Sequence, residues 1–406
     1  MQSTLPPLAV SESPIGKRFL AALGYLGELL MLGGASLLLM ALAFIIQNCH
    51  LLTLDIVRSA MQHLADSTLL IVALFSYPHF VWSYRFAYGQ GRAFIGQHAW
   101  ELIGLPVLLL SLLALCIALW TTPVGALPLV MPLQNWLHQF GIDPQWSQYK
   151  SSGHLLFAWM FLVQFIMGGY HFAMQSFGVA LTCAQEKGYL FSREEKLYLR
   201  NALYALWAVN LLSGYSFLSI INSRCLGFRQ VHFPQQWQWA ALAVLVFTLV
   251  ALWSKVILPH YKTDGKLPPL SSAVTFASIF VWLQPFFQPM AFSAWLAPVA
   301  HGMQYIYFSG RVEVHNFDGL AARLSRTSVI WRWLYLAAVA VFIYALGFMF
   351  FRYLPLQIDR HHFFADIAPN FFFVGMYIVF STHHYMIDTV LWRAGSRVKE
   401  LSYCPS

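Results

Sequence analysis

Apolar residues run along the chain in long blocks separated by short polar stretches. Such blocks lie near 19–47, 67–88, 100–122, 153–181, 200–222, 237–259, 271–288, 291–308, 329–352 and 366–393. An apolar run of roughly 18 or more residues crosses a bilayer as an α-helix. The pattern predicts an all-α, polytopic integral membrane bundle of about ten transmembrane helices. Residues 19–393 form the helical domain, between tails at 1–18 and 394–406. The blocks 271–288 and 291–308 meet at a tight turn, Gln288-Pro289, and also suit a re-entrant hairpin. Ser192, with Glu195 three residues on, predicts a capping box before the fifth helix. The loop 123–152, with Pro132, Trp136, Pro144 and Trp146, suits an interfacial lid. No internal repeat survives inspection, which disfavours an inverted-repeat transporter.

Composition agrees. The 406 residues are 59% hydrophobic and only 10% charged, against about 25% charged in a water-soluble domain. Lipid is the expected solvent and the bilayer the expected partner. A net charge of +8 would suggest nucleic acid in a soluble protein. Here the basic residues flank the apolar blocks, so no nucleic-acid partner is expected. With Lys17 and Arg18 inside, the inner ends of the even-numbered spans carry Arg85 and Arg92; Lys187, Arg193 and Lys196; Lys262 and Lys266; Arg311, Arg323 and Arg326; and Arg393, Arg397 and Lys399. The outer loops hold fewer, chiefly Arg224, Arg229 and Arg360. This bias predicts cytoplasmic termini and suits a bacterial inner membrane. The five cysteines, Cys49, Cys116, Cys183, Cys225 and Cys404, form no C-x-x-C pair, so neither a disulfide framework nor a zinc ribbon is indicated.

Fifteen histidines stand out among so few charges. His79, His171, His301 and the pair His383-His384 lie inside apolar blocks rather than at their edges. On this topology their helices all run inward, and each histidine precedes the basic inner end by about six to fifteen residues. At ~1.5 Å per residue, all fall in the inner half of the bilayer. Four helices can thus bring imidazoles to one layer, where they would hold a buried metal: iron, copper, zinc or haem. The competing reading satisfies each histidine separately, by a hydrogen bond between helices. Adjacent histidines diverge by about 100°, so only one of His383 and His384 faces the centre. Asp388 lies four residues after His384, and Gln175 four after His171. Both spacings suit residues that orient a ligand from behind. Ser83 stands in the same relation to His79, and Gln304 and Tyr305 follow His301. Tyr305 and Tyr385 are candidates to supply a proton or hydrogen bond.

Other polar residues receive smaller roles. His50, His63, His154, His361 and His362 gather at outer ends and suit either a polar cluster or interfacial solvation. His315 is expected in a cytoplasmic loop. Glu28 is expected to pair structurally or relay protons, and Asn210 and Asn370 to bridge helices.

The HxxxH and HxxHH clusters of di-iron desaturases are missing, as are Walker, Rossmann and GxSxG signatures. Single histidines dispersed over several spans, with Pro78-His79 and His171-Phe172, resemble the Brp/Blh-type β-carotene dioxygenases. Ser83 and Ala173 depart from that pattern, where an acid and a glycine would be expected. The resemblance implies a non-haem Fe(II) held by His79, His171, His301 and His384, with His383 as substitute, in an enzyme using O2 on a lipid-soluble substrate. Two alternatives stand beside it. Ala300-His301-Gly302 is similar to the buried histidine of membrane-bound O-acyltransferases, making His301 a general base. A transporter or haem-bearing electron carrier is the other.

Overall fold

The computed structural model of the chain describes residues 23–49, 55–213, 231–283, 296–324, 328–361, 370–393 and 396–402. The tail 1–18, His50, His362, Arg224, Arg229, Cys225, Cys404 and the turn at Gln288-Pro289 lie outside them. The described residues are helical apart from turns and one isolated bridge, Asp143 to His232. The main rods are α1 (Leu23–Ile46), α2 (Asp55–Tyr88), α3 (Trp100–Ala118), α4 (Ser152–Glu186), α5 (Arg193–Leu212), α6 (Gln235–Asp264), α7 (Leu270–Trp282), α8 (Leu296–Leu324), α9 (Val329–Arg360), α10 (Phe371–Leu391) and the short α11 (Arg397–Ser402).

Five of these, α1, α3, α4, α6 and α9, are long and apolar enough to cross a membrane. The peripheral α6 and α9 have 17% of their most apolar window buried and α4 has 44%, which places α4 inside and the other two at the rim. Helices α2, α8 and α10 are less apolar because their inward faces carry histidine, serine, glutamine and acid side chains. Those four inner helices, α2, α8, α4 and α10, pack in a closed ring, each against the next.

Several helix boundaries differ from the sequence pattern. Helix α2 begins at Asp55, ahead of the apolar block, through an exposed amphipathic stretch. Helix α8 continues to Leu324, so His315 is helical rather than in a loop; its Nδ1–H donates to the Arg311 carbonyl at 3.0 Å. There Glu313, 1% exposed, accepts from Arg85 Nε at 2.7 Å and from the Tyr335 hydroxyl at 2.9 Å. This pair clamps α2 to α8 at one depth.

Proline placement explains the irregular turns. Wide π-type turns occupy Trp100–Gly104, Trp253–Ile257 and Met349–Tyr353. Each precedes a proline by two residues: Pro106, Pro259 and Pro355. A proline clashes with the carbonyl four residues back and has no N–H to offer it; the wider turn relieves both problems. The wide turn in α1, Leu30–Gly34, has another cause. Gly33, at φ 135, lies where a Cβ would collide with Ser278 of α7. The turn leaves the Leu32 carbonyl free to accept Gln304 Nε2 of α8 at 2.8 Å.

Helix ends are capped as their residues dictate. The capping box is present: Ser192 N–H donates to Glu195 at 2.7 Å, and Glu195 N–H to Ser192 Oγ at 3.2 Å. Asp359 reaches across from the end of α9 to accept the N–H groups of Phe372 and Phe373, each at 2.9 Å. Asn370 starts α10 in the left-handed conformation, φ 63, and so shapes a turn. Asn210 does bridge, donating to the Leu283 carbonyl at 3.0 Å. Glu28 meets Lys187 at 3.6 Å.

Candidate metal centre

Each inner helix contributes one imidazole to a shared pocket in the protein interior. His79 and His384 are 1% and 0% exposed, His301 1% and His171 8%. Around the ring, His79 and His301 lie 4.8 Å apart between ring centroids, His301 and His171 4.8 Å, His171 and His384 5.1 Å, and His384 and His79 4.8 Å. The diagonal from His301 to His384 is 5.9 Å. The order of the histidines is the packing order of the four helices.

A glycine and a serine allow the close approach. Gly302 sits against the Phe75 backbone, where a Cβ would strike the carbonyl. Ser76 Oγ donates to the Pro298 carbonyl at 3.2 Å. Together they bring α2 and α8 to near backbone contact, one turn from His79 and His301.

Partners on the far side of the rings set the tautomers. His79 Nδ1 stands 3.2 Å from the Phe75 carbonyl. A carbonyl only accepts, so Nδ1 carries the proton and Nε2 presents a lone pair. Ser83 Oγ donates to the Phe80 carbonyl at 2.7 Å and therefore accepts from His384 Nδ1 at 2.9 Å. Nε2 of His384 is again the bare nitrogen. Ser83 thus orients His384, on another helix, and not His79 four residues before it. The sequence signal was available in part: Ser83 shares the inward face of α2, but its partner was fixed only by packing.

Nε2 of His79, His171 and His384, and both nitrogens of His301, are buried without any hydrogen-bond partner. Leaving one buried polar group unpaired costs on the order of 1–3 kcal/mol; here five such atoms lie on four rings packed together. Asp388 joins them. Its Oδ2 stands 3.6 Å from His171 Nε2 and 3.5 Å from His384 Nε2, while Oδ1 accepts the Tyr305 hydroxyl at 3.2 Å. Two lone pairs facing each other in a dry interior repel unless a proton or a cation lies between them. Ligand atoms bonded at about 2.0–2.2 Å to one ion stand about 2.9–3.6 Å apart in tetrahedral or octahedral geometry. The His–Asp separations meet that range. The donors form two overlapping triads, His79–His301–His384 and His171–His384–Asp388, each with ligand atoms within 4.8 Å of one another. They share His384, whose Nε2 has one lone pair to give. The two triads therefore cannot each hold an ion through His384. Asp388 stands among the donors rather than behind one.

The remaining sequence candidates are placed differently. His383 turns away: its Nε2–H donates to the Glu101 carbonyl at 3.0 Å and its Nδ1 accepts from Tyr84 at 2.8 Å. The 100° step along α10 sends it to the α2–α3 side with both nitrogens used, so it is not a ligand. Gln175 donates to no imidazole. Its amide donates to the His301 backbone carbonyl at 3.1 Å and to Gln304 at 3.2 Å; with Gln304 bound to Leu32, it ties α4, α8 and α1 together. Tyr385 stacks on His171, centroids 4.5 Å apart at 29°, and its hydroxyl accepts from Gln164 at 3.2 Å. Tyr305 lies 5.5 Å from both the His79 and His384 rings. Phe80 and Phe172 close the box against His384 and His301, at 4.9 and 4.8 Å.

Among the described outer histidines, His63, His154 and His361 join no metal-ligating group. His154 instead packs between Tyr149 and Trp120. Comparison with protein-family models, curated proteins and solved structures gives no match.

Proposed function

We propose that the chain is an integral membrane oxidoreductase that holds one iron(II) through His79, His171, His301, His384 and Asp388 and oxidises a lipid-soluble substrate with O2. The observation that carries this reading is the convergence of unpartnered imidazole nitrogens from four helices, two of them beside one carboxylate. Five donors exceed the four-coordinate preference of zinc. A two-histidine, one-carboxylate face within a nitrogen-rich set suits iron(II). Iron held there would supply the oxygen activation. The protein's own residues position it: Phe75 and Ser83 fix two imidazoles, Tyr305 holds Asp388, and the aromatic walls exclude water.

The alternatives find less support. A general base at His301 needs an amide or carboxylate on its second nitrogen, and both its nitrogens lack a hydrogen-bond partner. Haem needs room for a macrocycle between two imidazoles, and the four rings stand edge to face at 4.8–5.9 Å. We also place helices α1 to α10 across the membrane, α2, α5, the shorter α7, α8 and α10 included, with both termini cytoplasmic and the bacterial inner membrane as the site. The alternation of basic loops supports this orientation.

Elemental analysis of detergent-purified protein, with each histidine changed to alanine in turn, tests the proposal. Near-stoichiometric iron, with comparable loss at all four positions, is the expected result. Stoichiometric zinc, or loss of activity at His301 alone with metal content unchanged, contradicts it.

A further inference from the structure

A cavity of about 520 Å³ opens beside the histidine ring, within the roughly 300–1,000 Å³ usual for small-molecule sites. It follows α4 from Met167 to Gln185, about 27 Å at ~1.5 Å per residue, and is therefore long for its volume. Its inner end is walled by His171, Tyr305, Tyr385 and Asp388. Its middle is apolar, lined by Met174, Phe177, Phe308 and Met386. Its far end carries Lys196 of α5, Arg393 just after α10, and Lys399 of α11.

These three cations come from segments distant in sequence, so the fold assembles them. Two basic residues close to this end are neutralised: Lys187 meets Glu28 at 3.6 Å and Arg311 meets Glu186 at 2.6 Å. Among the described residues, Lys196, Arg393 and Lys399 make no ion pair. Asp388 is the sole acid lining the cavity, and it lies at the opposite end. Burial, and then the nearby Lys196, push the Lys399 ammonium below the usual lysine range. An uncompensated cationic end on a narrow apolar passage is complementary to an anion with one long tail.

We propose that this cavity binds a single-chain amphiphile whose anionic headgroup, a carboxylate or a phosphate, is held at Lys196, Arg393 and Lys399, its chain running toward His171 and Asp388. Lys196 and Arg393 are exposed and Lys399 half-buried, so the headgroup sits at the mouth of the cavity, where a neutral hydrocarbon gains nothing from the three cations. That the chain is what becomes oxidised rests on the metal reading above; the binding itself does not.

Binding of radiolabelled oleate, 1-oleoyl lysophosphatidate and oleyl alcohol to the purified full-length chain tests this, with metal loaded and after chelation. At least one anion should bind tenfold or more tighter than the alcohol, and the preferred anion identifies the headgroup. The triple variant Lys196→Gln, Arg393→Gln, Lys399→Gln should weaken that anion tenfold or more and move the alcohol less than twofold. Lys399→Gln alone serves if the triple variant does not purify as a single species. Gly178→Leu should weaken all three ligands, because a Cβ at Gly178 enters open space in the cavity without a clash. Equal affinity for alcohol and anions, or an unchanged anion affinity in the charge variants, overturns the proposal. His384→Ala separates the two claims. Absent metal with charge-dependent binding leaves this inference standing, whereas full metal with charge-blind binding removes it alone.

Discussion

Changing Ser83 to alanine isolates the orientation of one ligand from the ligand itself. Ser83 is 0% exposed, and its hydroxyl accepts from His384 Nδ1 at 2.9 Å. Alanine removes the acceptor and strands a buried N–H, at a cost of about 1–3 kcal/mol. Part of that cost falls on the metal-free protein and lowers its thermal stability. The rest falls on metal affinity. An imidazole bound through Nε2 is a stronger Nδ1–H donor than a free one, so the hydrogen bond is worth more with metal bound. Loss of such a supporting partner typically costs roughly 10–100-fold in metal affinity, or about 1.4–2.7 kcal/mol. The two estimates agree because they count the same bond. Titration of chelator-stripped protein with iron(II) under anaerobic conditions, against a competing chelator, reads the affinity directly. A Ser83→Ala variant that binds iron within twofold of the parent refutes the assignment of Nε2 as the metal-facing nitrogen of His384.

Other substitutions separate structural from ligating roles. His384→Ala should abolish metal binding, while His383→Ala should keep it and lose about 1–3 kcal/mol of stability, because Tyr84 and the Glu101 carbonyl lose a buried partner; metal content and denaturation of the two variants decide this. Asp388→Asn should reduce iron affinity tenfold or more, and Tyr305→Phe less, by the same competition titration. Gly302→Ala drives a Cβ into the Phe75 carbonyl and should cost at least about 1–3 kcal/mol of overpacking, read as a lower thermal midpoint; an unchanged midpoint denies the close crossing of α2 and α8. Asp359→Ala removes the carboxylate that accepts two backbone N–H groups at the start of α10 and should cost about 0.5–2 kcal/mol without changing metal content.

The all-α class and the helix positions were legible because apolar blocks of membrane-spanning length have few other uses. Local rules also carried the capping box at Ser192, since both partners lie within one turn. The inward facing of His384 over His383 was open in sequence: a 100° step selects one of two neighbours but does not say which. Ser83, Asp388 and Gln175 show the limit of spacing arguments. Helical spacing of four puts Ser83 on the face of His79, yet its hydroxyl serves a histidine three hundred residues on, because α2 and α10 cross there. Gln175 follows the same rule from His171 and ends on the His301 backbone. Asp388 was read as a support for His384 and stands beside its Nε2 instead, because His171 closes on the same oxygen from α4. Each depends on which helices pack together. The buried Arg85–Glu313 pair was illegible for the same reason, since Arg85 read as an inner-end charge and its partner lies on α8.

X-ray absorption at the metal edge of the purified full-length protein tests the central claim most directly. The account predicts an iron edge with a shell of nitrogen and oxygen atoms at about 2.0–2.2 Å and outer-shell scattering from three or four imidazoles. That scattering should be diminished in His384→Ala. A zinc edge, a sulfur shell, or protein with no bound metal would contradict it.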